Sequence, residues 1–163
     1  MTMVALVFSI LISTGSFAWG YTEMGSATLS HWMIAFGLLW LFSQWRGWKW
    51  FPSFALLLSI LAAMIGLWIN VSIGWMFSGA IFALFAWDMT ELRKKLNLLP
   101  PREDAGGFAR RHLLRVSLLA LGGLLFASAM MFWWGQFTSA WGTFLFCVIF
   151  LGLAGQLPAW VKR

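Results

Sequence analysis

The side chains best suited to ligating a metal or moving a proton are few and scattered. Cys147 is the single cysteine, so it has no partner for a disulfide and belongs to no CxxC pair. It reads as a small packing residue within an apolar stretch. His31 and His112 are the only histidines. A haem held by both would need them at one depth, and they fall at opposite ends of the predicted helices. Each remains only a lone candidate ligand for a single haem or pigment. No Ser stands in a nucleophile motif beside a His at its own depth, and Gly106-Gly107 is too little for a phosphate loop. No catalytic, cofactor or metal site is therefore predicted. The one expected pairing of titratable groups is at an inner face, where Asp88 ends one apolar stretch and His112, with Arg115, begins another.

The elements that position these groups are apolar helices. The 163 residues are 61% hydrophobic and only 10% charged, with mean hydropathy +0.83. Soluble domains carry roughly 25% charged residues. Apolar stretches at 3–19, 27–43, 51–69, 71–87, 112–134 and 137–161 are each near the roughly 17 residues that cross a hydrocarbon core as a helix. The run 51–87 is too long for one crossing, and Asn70, Ser72 and Gly74 mark a turn at its middle. Gly135-Gln136 divides 113–161 in the same way. The expectation is an all-α integral membrane protein: one domain, 1–163, built as a compact bundle of six transmembrane helices. The first stretch lacks a basic n-region, and Ser16-Phe17-Ala18 is a poor cleavage site, so it reads as a retained span.

Charge then orients the bundle. Arg46 and Lys49 lie between the second and third stretches. Arg93, Lys94, Lys95, Arg102, Arg110, Arg111 and Arg115 lie between or just inside the fourth and fifth, and Lys162 and Arg163 end the chain. The turns at 20–31, 70–74 and 135–140 contain no Lys or Arg. The positive-inside rule puts both termini and the loop 88–111 in the cytoplasm, in the inner (plasma) membrane if the source is bacterial. Topology thus accounts for the net charge of +6, and nucleic acid is not an expected partner. Thirteen tryptophans sort into two belts. Trp19, Trp32, Trp68, Trp75, Trp133, Trp134 and Trp141 fall at the outer boundary. Trp45, Trp48, Trp50, Trp87 and Trp160 fall at the inner one, with Trp40 a turn deeper.

Between the belts there is no ionisable Asp, Glu, Lys, Arg or His, which speaks against proton pumping, proton-coupled exchange or voltage sensing. Hydroxyls and small residues remain: Ser9, Ser13, Thr14 and Ser16, Ser59, Ser78-Gly79, Gly122-Gly123, Ala127-Ser128, Thr143 and Gly152. They serve close helix approach, or line a narrow uncharged cavity. The segment 63–75 also lies without a gap over 129–141, matching Ala, Met and both flanking Trp. In this overlay Asn70 corresponds to Gln136, each at an outer turn where an amide satisfies backbone.

Beyond the fourth stretch, Met89, Leu92, Leu96 and Leu99 recur at helical spacing, and Glu91 stands four residues before Lys95. The fourth span is expected to continue as, or bend into, a short cytoplasmic amphipathic helix, stopped by Pro100-Pro101. Asp104 is placed to cap a helix starting near Phe108. The expected function is a non-enzymatic membrane subunit or scaffold. Met89, Leu92, Lys94, Lys95, Leu96 and Leu99 would form the contact surface for anionic lipid, a membrane-protein partner or a second copy. The alternative is a small transporter or binding subunit for a neutral or lipid-like molecule.

Overall fold

The computed structural model describes residues 2–48, 50–96, 105–136 and 138–149. Six helices make up the described secondary structure: α1 Thr2–Glu23, α2 Ala27–Arg46, α3 Phe51–Trp68, α4 Ile73–Leu96, α5 Ala105–Trp133 and α6 Ser139–Ile149. Four stretches are long and apolar enough to cross a membrane: Met3–Glu23, Phe51–Trp68, Ile73–Lys94 and Leu114–Trp133. α2 is as long, but it carries Ser30, His31, Ser43 and Gln44. In lipid a backbone must satisfy its own polar groups, which is why such a sequence resolves into helices and tight turns.

α1 and α4 form the centre. They make the most extensive contact among α1–α5 and run antiparallel: Met3 at the start of α1 meets Arg93, and Glu23 at its end meets Trp75. α2 packs on α1, while α3 and α5 pack on α4; α2 and α3, although consecutive, barely touch. Arg46, Arg93 and Arg111 thus share one end of the bundle (the basic end). The turns without Lys or Arg lie at the other (the neutral end).

Four helices stop in the same way. Gly25, Gly47, Asn70 and Gly135 each adopt positive φ just past α1, α2, α3 and α5. The next amide then reaches back: Ser26 to Tyr21 O, Trp48 to Ser43 O, Val71 to Gly66 O and Gln136 to Met131 O. This left-handed stop satisfies a carbonyl that the helix leaves open and turns the chain sharply. Of the two expected courses after the fourth stretch, α4 takes the first: it continues as one helix to Leu96. α5 begins at Ala105, three residues before the expected start near Phe108. Leu99, Pro100-Pro101, Asp104, Gly152, Trp160 and, of the sixth stretch, residues 137 and 150–161 lie outside the described residues.

The core falls into two halves. Toward the neutral end Phe17, Tyr21, Met76, Leu124, Met131, Trp75 and Trp141 cluster; toward the basic end Leu6, Ile10, Trp40, Phe51, Phe85, Met89 and Leu92 do. Between them α1 approaches both α4 and α2 at small residues. A methyl added at Gly79 would meet the Phe17 ring at 2.6 Å, and one at Gly37 would meet Thr14 at 2.7 Å. Two methionines use the same device: Met76 lies on Gly66 and Met131 on Gly74. With lipid as apolar as the core, such close packing replaces burial from water as the force between helices.

Tryptophan departs from the two-belt expectation at three places. Trp19, Trp32, Trp68, Trp133 and Trp134 are exposed at the neutral end, and Trp45, Trp48 and Trp50 at the basic end. Trp75, Trp141 and Trp40 are instead buried in the core. Spacing along the chain places an indole near a helix end, but whether it faces lipid depends on which helix lies beside it.

Candidate functional site

The last turns of α4 form a polar junction. Four of its residues bond four different helices. Trp87 Nε1 donates to Ser53 Oγ of α3 at 3.3 Å. Asp88 Oδ2 lies 2.6 Å from His112 Nε2 of α5. Gln44 of α2 donates through Nε2 to Thr90 Oγ1 at 3.4 Å, and Thr90 in turn donates to Ala86 O. Arg93 Nη1 points at Met3 Sδ of α1 at 3.2 Å. Helical periodicity produces this fan. Residues 87, 88, 90 and 93 sweep successive directions around one axis, so a central helix meets four neighbours within two turns.

Each residue predicted for the contact surface can now be located. Met89 and Leu92 are buried, at 0% and 2% exposure, inside the basic-end core. That half of the apolar stripe packs within the bundle and is withdrawn from any docking face. Lys94 is half-buried and bonds Glu91 three residues before it, at 2.6 Å. The side chains of Lys95 and Leu96 lie outside the described set, as does Leu99. Arg111 and Arg115 are exposed on the first turns of α5, beside the Asp88–His112 pair. The described side chains that face outward here include the cations Arg111 and Arg115 beside Leu114.

The hydroxyls between the belts are engaged in helix packing. Ser13 Oγ donates to Gly79 O at 2.8 Å, and Ser16 and Ser78 share a hydrogen bond of 3.1 Å, both across the α1–α4 seam. Ser9, Thr14, Ser59 and Ser128 each donate to a carbonyl four residues back on their own helix. The described surface depression near His31 is open and lined by Thr28, His31, Trp32 and Ala35, all on one face of α2. His31 Nδ1 pairs with Ala27 O. The two histidines thus stand at opposite ends of the bundle, and no three His, Cys, Asp or Glu come together among the described residues. Cys147 is exposed on α6, not buried as a packing residue.

The neutral-end turns hold a surprise of register. Asn70 takes φ +64°, the conformation that Gly135 takes at φ +67°. Asn70 is therefore the counterpart of Gly135, while Gln136 stands where Val71 does, offering only its backbone amide to the helix end. Beyond the turn the overlay recovers its original alignment. Ser72 and Thr138 each give their carbonyl to the first helical amide, of Met76 and Gly142. The second turn simply has one residue more. A gap of one inside a loop is invisible to an ungapped comparison.

What sequence reasoning missed is the junction around α4. Asp88 and His112 could be paired because both stand at matching ends of adjacent stretches. Nothing in the spacing of Gln44, Ser53 or Met3 marks them as its other partners. Compared with protein-family models, curated proteins and solved structures, the chain matches none.

Proposed function

We propose that this chain is a multi-pass membrane subunit of six spans, without catalytic machinery of its own. Both termini and the basic segments face the cytoplasm, in an inner or plasma-type membrane. Its working surface is the basic end formed by 88–112, which meets anionic lipid or a membrane-protein partner. The observation that carries this reading is the junction on α4, where Trp87, Asp88, Thr90 and Arg93 tie four helices to one. A platform held from four sides presents Arg111 and Arg115 in fixed positions, and fixed positions are what a contact surface needs. The engaged hydroxyls of the α1–α4 seam favour a packed subunit over a binder of neutral molecules.

The burial of Met89 and Leu92 decides how to test it. Charges introduced at Leu92 would break the core and confuse folding with binding. An Arg111→Gln/Arg115→Gln double change alters only exposed side chains. Retention of phosphatidylglycerol over phosphatidylethanolamine, read by native mass spectrometry, should fall by about fivefold per removed charge, or the native complex should shrink on sizing. Unchanged lipid retention together with unchanged complex size would remove the basic end from consideration. Topology is checked on the same protein in a Cys147→Ser background. Cysteines at Thr22 and Ser139 should label from outside intact cells and one at Asn97 should not; equal labelling at Asn97 contradicts six spans.

A further inference from the structure

Glu23 is the one acidic residue outside the segment 88–104, and it ends α1 at the neutral end, where the turns carry no Lys or Arg. An exposed carboxylate at a membrane interface, without a cation beside it, asks for an explanation. Among the described residues none pairs with it as an ion. Instead two indoles hold it: Trp19 Nε1 donates to Oε1 at 2.9 Å and Trp75 Nε1 to Oε2 at 3.0 Å.

The clamp is built from several elements. Trp75 is buried at 4% exposure, and its ring is fixed edge-on against Trp141 at 5.3 Å and against Phe144 at 5.1 Å. Trp141 is anchored in turn, its Nε1 donating to Ser128 Oγ at 3.1 Å. Position therefore passes from α5 and α6 through Trp75 to the carboxylate. On the other side Trp19 remains about half exposed, with its ring 6.1 Å from that of Trp75 and tilted by 48°. A carboxylate offers roughly four acceptor directions, and the two indoles occupy one on each oxygen. One acceptor direction on each oxygen is left over, and both Glu23 and Trp19 are exposed.

We infer that Glu23, with Trp19 and Trp75, is a binding site for an organic ammonium group. A cationic N–H donor completes the carboxylate through charge-assisted hydrogen bonds, and an adjacent indole face attracts the same cation. A single carboxylate with two N–H donors is a poor metal site, because indole nitrogen does not ligate. The ammonium comes either from a zwitterionic ethanolamine headgroup in the outer leaflet or from a free primary amine.

The test uses the full chain in nanodiscs of equal phosphatidylethanolamine and phosphatidylglycerol, compared with its Glu23→Gln variant. Native mass spectrometry should find ethanolamine lipid retained preferentially on the wild type, with about a fivefold loss in the variant. In nanodiscs of phosphatidylglycerol alone, saturation-transfer NMR with ethanolamine reads the free-amine source. A saturable signal there, lost in Glu23→Gln, without lipid preference in the mixed discs, assigns the site to a soluble amine. Trp19→Phe keeps the ring and removes one N–H, so it should give a smaller loss and serves if Glu23→Gln fails to fold. Equal lipid retention and equal amine signal in wild type and in whichever variant folds would overturn the assignment.

Discussion

The turns joining α3 to α4 and α5 to α6 do one job with different residues. Each ends a helix with a left-handed residue, at Asn70 and Gly135, and starts the next with a hydroxyl residue, Ser72 and Thr138. Three residues into each new helix stands a tryptophan, Trp75 and Trp141, and those two rings meet edge-on. The differences are local. One turn has an extra residue, one uses Asn where the other uses Gly, and one hydroxyl caps its helix while the other does not. The comparison teaches that the geometry of a membrane hairpin is set by a few backbone positions, and that side-chain identity can vary around them.

The largest effects should come from breaking the joint where the turns meet. Trp141 is wholly buried and Trp75 nearly so. Trp141→Ala and Trp75→Ala should each cost about 3–5 kcal/mol in unfolding from detergent, mostly through the cavities they leave. Because the rings touch, the double variant should lose less than the two costs added together, with a coupling of about 0.5–1.5 kcal/mol. Strict additivity would mean that the rings are neighbours without stabilising each other, and the two turns would then be independent.

The left-handed positions come next. Asn tolerates positive φ better than other non-glycine residues, but glycine adopts it without strain. Asn70→Gly should therefore be neutral or stabilising by up to about 1 kcal/mol, and Gly135→Asn should cost about as much. Gly135→Val should cost more, roughly 1–2 kcal/mol, because a β-branched side chain crowds that backbone. Gln136→Leu changes a side chain that is exposed while its amide does the work, so a change below about 0.5 kcal/mol is expected. If Gln136→Leu proves as costly as Gly135→Val, the original pairing of Asn70 with Gln136 is correct after all. Denaturant unfolding of the four variants in one detergent decides it.

How much of this was legible beforehand divides along the same line. Helix existence was, because long apolar runs in a chain this poor in charge have few other solutions. The breaks were too: Asn70 and Gly135 are of the residue types that accept positive φ. The partners of α4 were not. Gln44, Ser53 and Met3 lie in three separate helices, and only packing angles decide that all reach the last turns of a fourth. The fate of Met89 and Leu92 was hidden for a related reason. A stripe at helical spacing shows that a helix has an apolar side, and cannot say whether a neighbouring helix already covers it. Glu23 was overlooked for being single: its meaning comes from Trp75, fifty-two residues away.

The sharpest test of equivalence concerns one hydroxyl in each turn. Thr138 Oγ1 accepts from the amide of Trp141 at 3.3 Å, the arrangement of a helix N-cap satisfying the third amide. Ser72 occupies the same place before α4, but its buried Oγ has no partner among the described residues. Removing a working cap costs typically about 1 kcal/mol, whereas removing a buried hydroxyl that makes no bond relieves a desolvation penalty. Thr138→Ala should thus lower stability by about 0.5–2 kcal/mol, and Ser72→Ala should leave it unchanged or raise it slightly. Hydrogen exchange at the amides of Trp75 and Trp141 separates local from global effects. Faster exchange at Trp141 is expected in Thr138→Ala, with no change at Trp75 in Ser72→Ala. Should Ser72→Ala destabilise as much as Thr138→Ala and speed exchange at Trp75, both hydroxyls are caps. The two turns would then differ only in length and in their left-handed residue.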